Sequence, residues 1–480
     1  MQLRPGGHID SETVKRIVEE CQVIGLDIND ELAHPAGLPT SSCKDWCCCD
    51  NDEEKRKRCC ERLRSLLPKI KEEAKNQGET SGEFNAALYF CCNENGEGME
   101  IGDIVYVHNG KVPIGLVEVV GDCDCVDNPK DYPSREVPTF TDSSGNIQPW
   151  FGCFRKVRVI GLYGGGNSEL DRYLEKLSDA FKMGTLGRIR KEELLTECLT
   201  ISKVDKIKSA LEQFKQVILC GPPGTGKTHL AKKVAKTLTE EENIKLIQFH
   251  PSYSYEDFVR GIEIKVEGGH HKYVVKDKVF VELCRKAEKD KENSYVLIID
   301  EINRANLPAV LGELIYALEY REEEVELMYK SKSGNTLRVP KNLYIIGTMN
   351  TADRSVGHID YAIRRRFAFI KVGANKLYLS GKSKNLYEEI IEGIFNKKSS
   401  ECVSSDFQDV IEDIKIGHTY FMGNKEEVAM KFYYQVIPLL EEYIRDGILI
   451  KEKVDEMFES YFGKGQTINQ ITLLDIMSKF

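Results

Sequence analysis

Three short stretches of this sequence carry residue types suited to phosphate chemistry. The first, 221-GPPGTGKT-228, follows the apolar run 216-QVILC-220 and opens the helical pattern THLAKKVAKTL. Glycines let a backbone wrap a phosphate chain with its N–H groups turned inward, and the following helix N-terminus adds a favourable dipole. Gly221, Pro222, Pro223, Gly224, Thr225, Gly226, Lys227, Thr228 and His229 are therefore candidate nucleotide-binding residues. Lys227 is expected at the β- and γ-phosphates and the Thr228 hydroxyl at Mg²⁺. A chance glycine-rich turn is the bland alternative; an apolar strand before it and a helix after it weigh against that.

The second stretch, 296-VLIIDEINRAN-306, is a buried-type strand ending in two carboxylates. Ligands of open α/β sheets sit at the carboxyl ends of strands, so Asp300 is expected to hold Mg²⁺ through water and Glu301 to polarise an attacking water. The third is 342-NLYIIGTMNTADRS-355, followed by 360-DYAIRRRF-367. Asn350 ends its strand where it can orient the nucleophilic water beside Glu301. Arg364, Arg365 and Arg366 close a helical pattern. A run of arginines is usually a solvated face, but here its place after the third strand suits action on a neighbouring subunit's γ-phosphate.

Positioning these residues requires alternating strands and helices. The runs 216–220, 244-IKLIQF-249, 295-YVLIID-300 and 342–350 are separated by helical patterns, which predicts an α/β fold with a parallel sheet covered on both faces. The α/β region is expected over 170–375 and a helical region over 376–480. Upstream, 81–165 reads as a small β-rich, barrel-like domain and 1–80 as a helical segment with helices at 11–24 and 53–76.

With 480 residues, 41% of them hydrophobic and 30% charged, the chain is long enough for two or three cores and too apolar to be disordered. No apolar run approaches the roughly 18 residues of a membrane helix, and MQLRPGGHID does not read as a signal peptide. A soluble cytoplasmic protein without membrane attachment is expected. The net charge of −10 is concentrated upstream: −3 over 1–80, −6 over 81–165 and −1 beyond. That excludes a bulk phosphate clamp in the first third, because nonspecific DNA binding rests on phosphate neutralisation. Twelve of the sixteen cysteines lie in the first 153 residues. The cluster at 43–60, CKDWCCCDNDEEKRKRCC, has no C-x-x-C pair; reduced thiols are favoured over a metal site there.

Taken together, the phosphate loop, DEINRAN, MNTADRS and DYAIRRRF resemble the McrB-type AAA+ motors of modification-dependent restriction systems. Two further stretches fit, 249-FHPSYSYEDFVRG-261 and 416-IGHTYF-421, so the resemblance spans roughly residues 200–430. It implies an AAA+ P-loop NTPase with a helical lid, assembled as a homo-oligomeric, hexameric ring with nucleotide between subunits. It further implies GTP as substrate, although spacing alone leaves ATP equally open, and a separate McrC-like nuclease partner. By the same resemblance Asn350 is the sensor, Arg365 or Arg366 acts in trans, and Asp360 shapes the subunit contact. Asp353 helps arrange the attacking water, and His418 in the lid contacts nucleotide. Tyr253, Tyr255 and Phe258 are expected to pack a helix onto the sheet rather than to touch DNA.

Residues 84–163 are similar to EVE/PUA-like barrels, which bind a flipped modified base in an aromatic pocket and must offset the cost of flipping it. Tyr89, Tyr106, Trp150 and Phe151 are the candidate liners, with Arg155, Lys156 and Arg158 near phosphates; strand aromatics that merely fill a small barrel are the competing explanation. The C-terminal region holds no PD…(D/E)xK nuclease signature, so cleavage is assigned to the partner. The alternative is an AAA+ ATPase remodeller whose N-terminal domain binds a protein or RNA.

Overall fold

The computed structural model describes the chain from residue 192 to 480, apart from 268–269, 332–333, 354–358 and 396–400. Before that it describes chiefly 102–109, 112–125 and 153–179, with short pieces at 2–3, 15, 18–19, 23–26, 99, 139–141, 147–149 and 186–187. The helix expected over 53–76, the cysteine cluster, Tyr89, Trp150 and Phe151 lie outside the described residues. The chain divides into two compact units, Met1–Lys203 and Val204–Phe480.

The first unit is built on a mixed sheet. Its strands are β1 (Gln2–Leu3), β2 (Val23–Leu26), β3 (Ile104–Asn109), β4 (Val112–Cys125), β7 (Cys153–Leu162) and β8 (Leu186–Gly187), with β5 (Thr139–Thr141) and β6 (Ile147–Pro149) paired separately. The order is β2-β7-β4-β3-β1-β8. The helix expected over 11–24 does not include Val23 and Ile24, which lie in a strand and pair with Lys156 and Arg155 in β7. Val105, Tyr106, Val107, Leu116, Val117 and Val119 are buried, as are Leu170, Leu174 and Leu177 of the helix Ser168–Asp179.

The second unit holds a five-stranded sheet, β10-β13-β16-β9-β17, in which every pairing is parallel. Its strands are β9 (Gln216–Gly221), β10 (Ile244–Gln248), β13 (Tyr295–Asp300), β16 (Leu343–Asn350) and β17 (Ala368–Lys371). The two hairpins β11–β12 (Arg260–Glu267, His270–Asp277) and β14–β15 (Val325–Ser331, Gly334–Leu337) project from this framework. Neither hairpin nor β17 was anticipated: 368-AFIK-371 is too short and too polar at its end to stand out from its surroundings.

Strand alternation creates two cores. Ile218, Leu297, Ile299 and Ile345 face a layer containing Phe249, Phe258 and Phe280. Val217, Leu219, Val296, Ile298 and Ile346 face Leu230, Ala231, Val234 and Ala235 of the helix Lys227–Leu238, with Val204, Ile207 and Leu211 beside them. Each fully buried aliphatic side chain contributes about 1.5–3 kcal/mol, so both faces anchor the sheet edge that carries the polar residues. Tyr255 and Phe258 sit in a short capped helix packed into the first core, as expected for architecture. Fully buried Arg260 donates to Asp277, to the Tyr329 carbonyl and to the Gly334 carbonyl, which ties the two hairpins together.

Residues from 379 onward form a separate helical core around Tyr387, Phe395, Phe421, Phe432 and Phe458. Cys198, Cys220, Cys284 and Cys402 are buried free thiols. Among the described residues no group of His, Cys, Asp and Glu is arranged to hold a metal by itself, and no helix is long and apolar enough to cross a membrane.

Candidate nucleotide site

The three polar stretches converge because three neighbouring parallel strands, β13, β16 and β9, end at the same edge of one sheet. Gly221, at the end of β9, pairs with Asn350, at the end of β16. Gly221 tolerates no side chain, since a Cβ there would collide with the Val372 carbonyl oxygen. Gly224 and Gly226 have φ of 74° and 80°, a left-handed conformation that side chains resist. The loop thus curls above β9 and delivers the N-terminus of Lys227–Leu238.

Lys227 lies within this curl. Its ammonium donates to the Gly221 carbonyl at 2.9 Å, the Pro222 carbonyl at 2.8 Å and Asn350 Oδ1 at 2.6 Å. Burial lowers its pKa to about 8, a shift that the nearby carboxylates of Glu301 and Asp300 only partly oppose. Asn350 faces both ways: its Nδ2 donates to Glu301 Oε1 at 2.5 Å. One hydrogen-bonded string therefore links the loop lysine, the Asn350 amide and the Glu301 carboxylate.

A second string holds the metal-type ligands. Thr228 Oγ1 donates to Asp300 Oδ1 at 2.7 Å, and Thr348 Oγ1 donates to the same oxygen at 2.6 Å. Thr348 in turn accepts the Glu301 backbone N–H at 3.1 Å. Glu301 has φ 53° and ψ 46°, one of two described non-glycine residues with positive φ. Such backbone costs of order 1–3 kcal/mol and persists only when its surroundings over-determine it; here the Thr348 bond and the Asn350 bond do so. Burial raises the Glu301 carboxyl pKa, with Arg304 pulling the other way. Its Oε2 is buried without a hydrogen-bond partner, lying 3.5 Å from Arg304 Nε. Arg304 also bonds Asp353 at 3.1 Å, which places Asp353 one residue removed from the carboxylate.

The lid reaches this edge directly. Gly417 N–H donates to the Pro223 carbonyl and Thr419 N–H to the Gly224 carbonyl, both at 2.9 Å. A Cβ on Gly417 would overlap Gly224 backbone atoms. His418 between them is buried, stacks on Tyr378 at 4.7 Å and accepts the Asn375 N–H on Nδ1. His229 is exposed on the helix.

The arginine run is divided. Arg366 is nearly buried: it donates to the Ile315 and Ala362 carbonyls and pairs with Glu319 at 2.5 Å. Arg365 keeps 64% of its side chain exposed and meets the same Glu319 at 3.0 Å. Arg364 donates to the Ile359 carbonyl and lies over the Phe369 ring. Asp360 caps their short helix through the Ala362 N–H.

In the first unit, Tyr106 is fully buried and its hydroxyl donates to the Leu174 carbonyl at 3.1 Å. Arg155 is buried and donates to the Gly121 carbonyl, whereas Lys156 and Arg158 are exposed, Arg158 pairing with Glu118. Sequence reasoning missed Thr348, Arg304, Tyr378 and Glu319. Thr348 had a legible signal, since a hydroxyl two residues before Asn350 on a strand shares its face. Tyr378 and Glu319 depend on contacts distant in sequence, as does the Arg304 bond to Asp353, although Arg304 meets Glu301 only three residues away.

A parallel sheet with a lysine-bearing phosphate loop, a strand-end Asp-Glu pair and a strand-end asparagine defines a P-loop NTPase domain of the AAA+ class. Residues 216–367 match the AAA domain (dynein-related subfamily), and residues 406–450 match the McrB alpha-helical lid domain. Over 275 residues the chain is 36% identical to the type IV methyl-directed restriction enzyme EcoKMcrB subunit of Escherichia coli (strain K12), covering 52% of this chain and 58% of that protein. It is 27% identical over 210 residues to the type II restriction enzyme BsuMI component YdiS of Bacillus subtilis (strain 168), covering 35% of this chain and 61% of that one. The chain thus spans about three fifths of the length of the curated relatives it matches. The chain therefore carries an AAA domain followed by a segment that matches the McrB lid.

Proposed function

We propose that this chain is the motor of a modification-dependent restriction system. It hydrolyses GTP between the subunits of a homo-oligomeric ring, a hexamer, and drives a separate McrC-like nuclease against DNA bearing a modified base. The observation that supports this most directly is the Lys227–Asn350–Glu301 string beneath a McrB-type lid. GTP rather than ATP follows from the McrB resemblance, and restriction from the functions named for the two relatives.

The residues fit the chemistry. The Thr228 hydroxyl and Asp300 carboxylate are hard oxygen donors 2.7 Å apart, suited to Mg²⁺ and its bound waters. That ion, when bound, draws negative charge from the β- and γ-phosphates. Thr348 keeps the Asp300 carboxylate in place. The Gly221–Gly226 backbone and Lys227 receive the phosphates, and Asn350 orients the attacking water. Glu301 takes its proton through Oε2, the oxygen left without a hydrogen bond, and its raised pKa suits it to that role. Arg365 serves the neighbouring subunit's γ-phosphate, because Arg366 is tied down within its own chain. Asp353 steadies Arg304 beside Glu301, and His418 holds the lid side of the nucleotide. In the first unit, exposed Lys156 and Arg158 steer the DNA backbone toward a base pocket.

The test measures Mg²⁺-dependent turnover of GTP and ATP by the full chain, with and without the product of the neighbouring gene, on modified and plain duplex. GTP turnover and cutting of only the modified duplex in the presence of the partner are expected. Unchanged turnover in Lys227→Ala overturns the site, preference for ATP overturns the nucleotide assignment, and equal treatment of the two duplexes overturns the reader. Mixing Arg365→Ala with Glu301→Gln chains tests action in trans, because only a shared site regains turnover.

A further inference from the structure

We infer that Glu319 is the positioning residue for the trans-acting arginine, with Arg366 as its anchor and Arg365 as the group that reaches out. This rests on the assignment of Arg365 made above. The helix Leu314–Glu319 ends with the Glu319 carboxylate between two guanidinium groups, 2.5 Å from Arg366 Nη2 and 3.0 Å from Arg365 Nη2. The two arginines are not equivalent. Arg366 is 9% exposed, and its Nε and Nη1 are committed to the Ile315 and Ala362 carbonyls. Its backbone carbonyl accepts from Gln216 Nε2 at 2.7 Å, and Gln216 Oε1 accepts from the buried Arg321 at 2.6 Å. Gln216 is also the first residue of β9, the strand that ends in the phosphate loop. The anchor is therefore built into the sheet that carries this chain's own nucleotide site.

Charge balance supports the same division of labour. A carboxylate paired with a single arginine would cancel the positive charge a γ-phosphate needs. Here Arg366 neutralises Glu319, so Arg365 leans on the carboxylate while the cluster keeps one net positive charge. Of the two arginines on Glu319, Arg365 is the one that stays mostly solvated, and exposed ion pairs are weak enough to exchange partners. Glu319 thus aims the Arg365 guanidinium before a neighbour's phosphate arrives and releases it at little cost. Tyr316 and Tyr320 of the same segment and Tyr361, which begins the arginines' short helix and is 87% exposed, are exposed aromatics of the kind enriched at subunit contacts.

The experiment compares steady-state turnover and nucleotide binding for Arg365→Ala, Glu319→Gln, Glu319→Asp and the double variant Glu319→Gln/Arg365→Ala, all in the full chain. Arg365→Ala should lower kcat about 10³-fold, as loss of an arginine finger does. Glu319→Gln should lower kcat by up to about 100-fold, the scale of an ångström misplacement, with nucleotide affinity unchanged. Glu319→Asp should fall between Glu319→Gln and the unaltered chain. The double variant should be no slower than Arg365→Ala, because Glu319 acts only through that side chain. A multiplicative loss in the double variant, or a drop in nucleotide affinity in Glu319→Gln, overturns the positioning role in favour of a structural one. If Glu319→Gln does not fold, wild-type kcat in Glu319→Asp overturns it. Unchanged kcat in Arg365→Ala instead overturns the trans assignment itself, whatever Glu319 does.

Discussion

The two largest sheets among the described residues treat polar strand residues in opposite ways. In the parallel sheet, Asp300, Thr348 and Asn350 lie at or near strand ends, where Thr348 donates to Asp300 and Asn350 donates to Glu301 across neighbouring strands. In the mixed sheet of the first unit, Tyr106 and Arg155 turn inward and satisfy backbone carbonyls. Parallel strands all end at the same edge, so polar residues there are brought together for chemistry without disturbing the core. An antiparallel strand reverses direction and offers no such common edge, so a polar residue within it must find a structural partner or lie on the surface. Arg158, paired with Glu118 on the exposed face, takes the second course.

The contrast is sharpest at Glu301. Glu301→Gln keeps the shape of the side chain and its Asn350 contact but removes the proton acceptor. Turnover should fall about 10²–10⁴-fold, the usual worth of a positioned base, while nucleotide binding and the melting temperature hold. Loss of binding, read by titration with a nonhydrolysable analogue, would reduce Glu301 to a structural part of the edge.

Gly417 tests whether that edge extends into the lid. An added methyl group meets the Gly224 backbone, and overpacking of this kind costs about 1–3 kcal/mol. Gly417→Ala should therefore weaken nucleotide affinity roughly ten- to a hundredfold by lifting 416–420 off the phosphate loop. The helical core around Phe432 and Phe458 should be unaffected, which circular dichroism can check. Wild-type affinity would show that the two lid–loop hydrogen bonds do not matter for binding.

The fold and the site were legible in the sequence to different depths, for physical reasons. Buried parallel strands read as continuous apolar runs, so β9, β10, β13 and β16 were visible, and glycine spacing marked the phosphate loop. The short edge strand β17 and the two hairpins lacked that contrast. In the site, residues adjacent to a strand end were readable one at a time. Tyr378 and Glu319 matter through partners 40 and 46 residues away, and Arg304 joins its neighbour Glu301 to Asp353 49 residues on; no local pattern encodes such distances. The arginine run shows this most clearly: three identical residues in sequence acquire three different environments through packing.

A smaller effect follows from the buried lysine. Lys227 is depressed to about 8 from an ordinary lysine value, so the folded chain releases its proton more readily than the unfolded one. Between about pH 8 and the ordinary lysine range the unfolded state binds more protons, and this residue's contribution to stability rises with pH. Phosphate binding has the opposite sign, because it needs the ammonium. Nucleotide affinity should hold below about pH 8 and weaken above it, by at most about tenfold per unit. Isothermal titration across pH 7–9.5 in two buffers would show proton uptake on binding; a flat profile would mean that the lysine stays charged throughout.

The smallest change belongs to the other sheet. Tyr106→Phe removes only the hydroxyl that serves the Leu174 carbonyl, both groups lying within the first unit. A buried hydrogen bond contributes about 1 kcal/mol, and the ring itself stays packed, so the melting temperature should drop by a few degrees. Nucleotide turnover should not change, because the hydroxyl's partner is Leu174 of the same unit and not a residue of the nucleotide site. DNA binding separates the two roles weighed for Tyr106. If it fills the core, preference for modified over plain duplex survives in proportion to folded protein. If preference is lost while stability is retained, the hydroxyl belongs to the base pocket, and the contrast between a chemical sheet and a structural one would have to be redrawn.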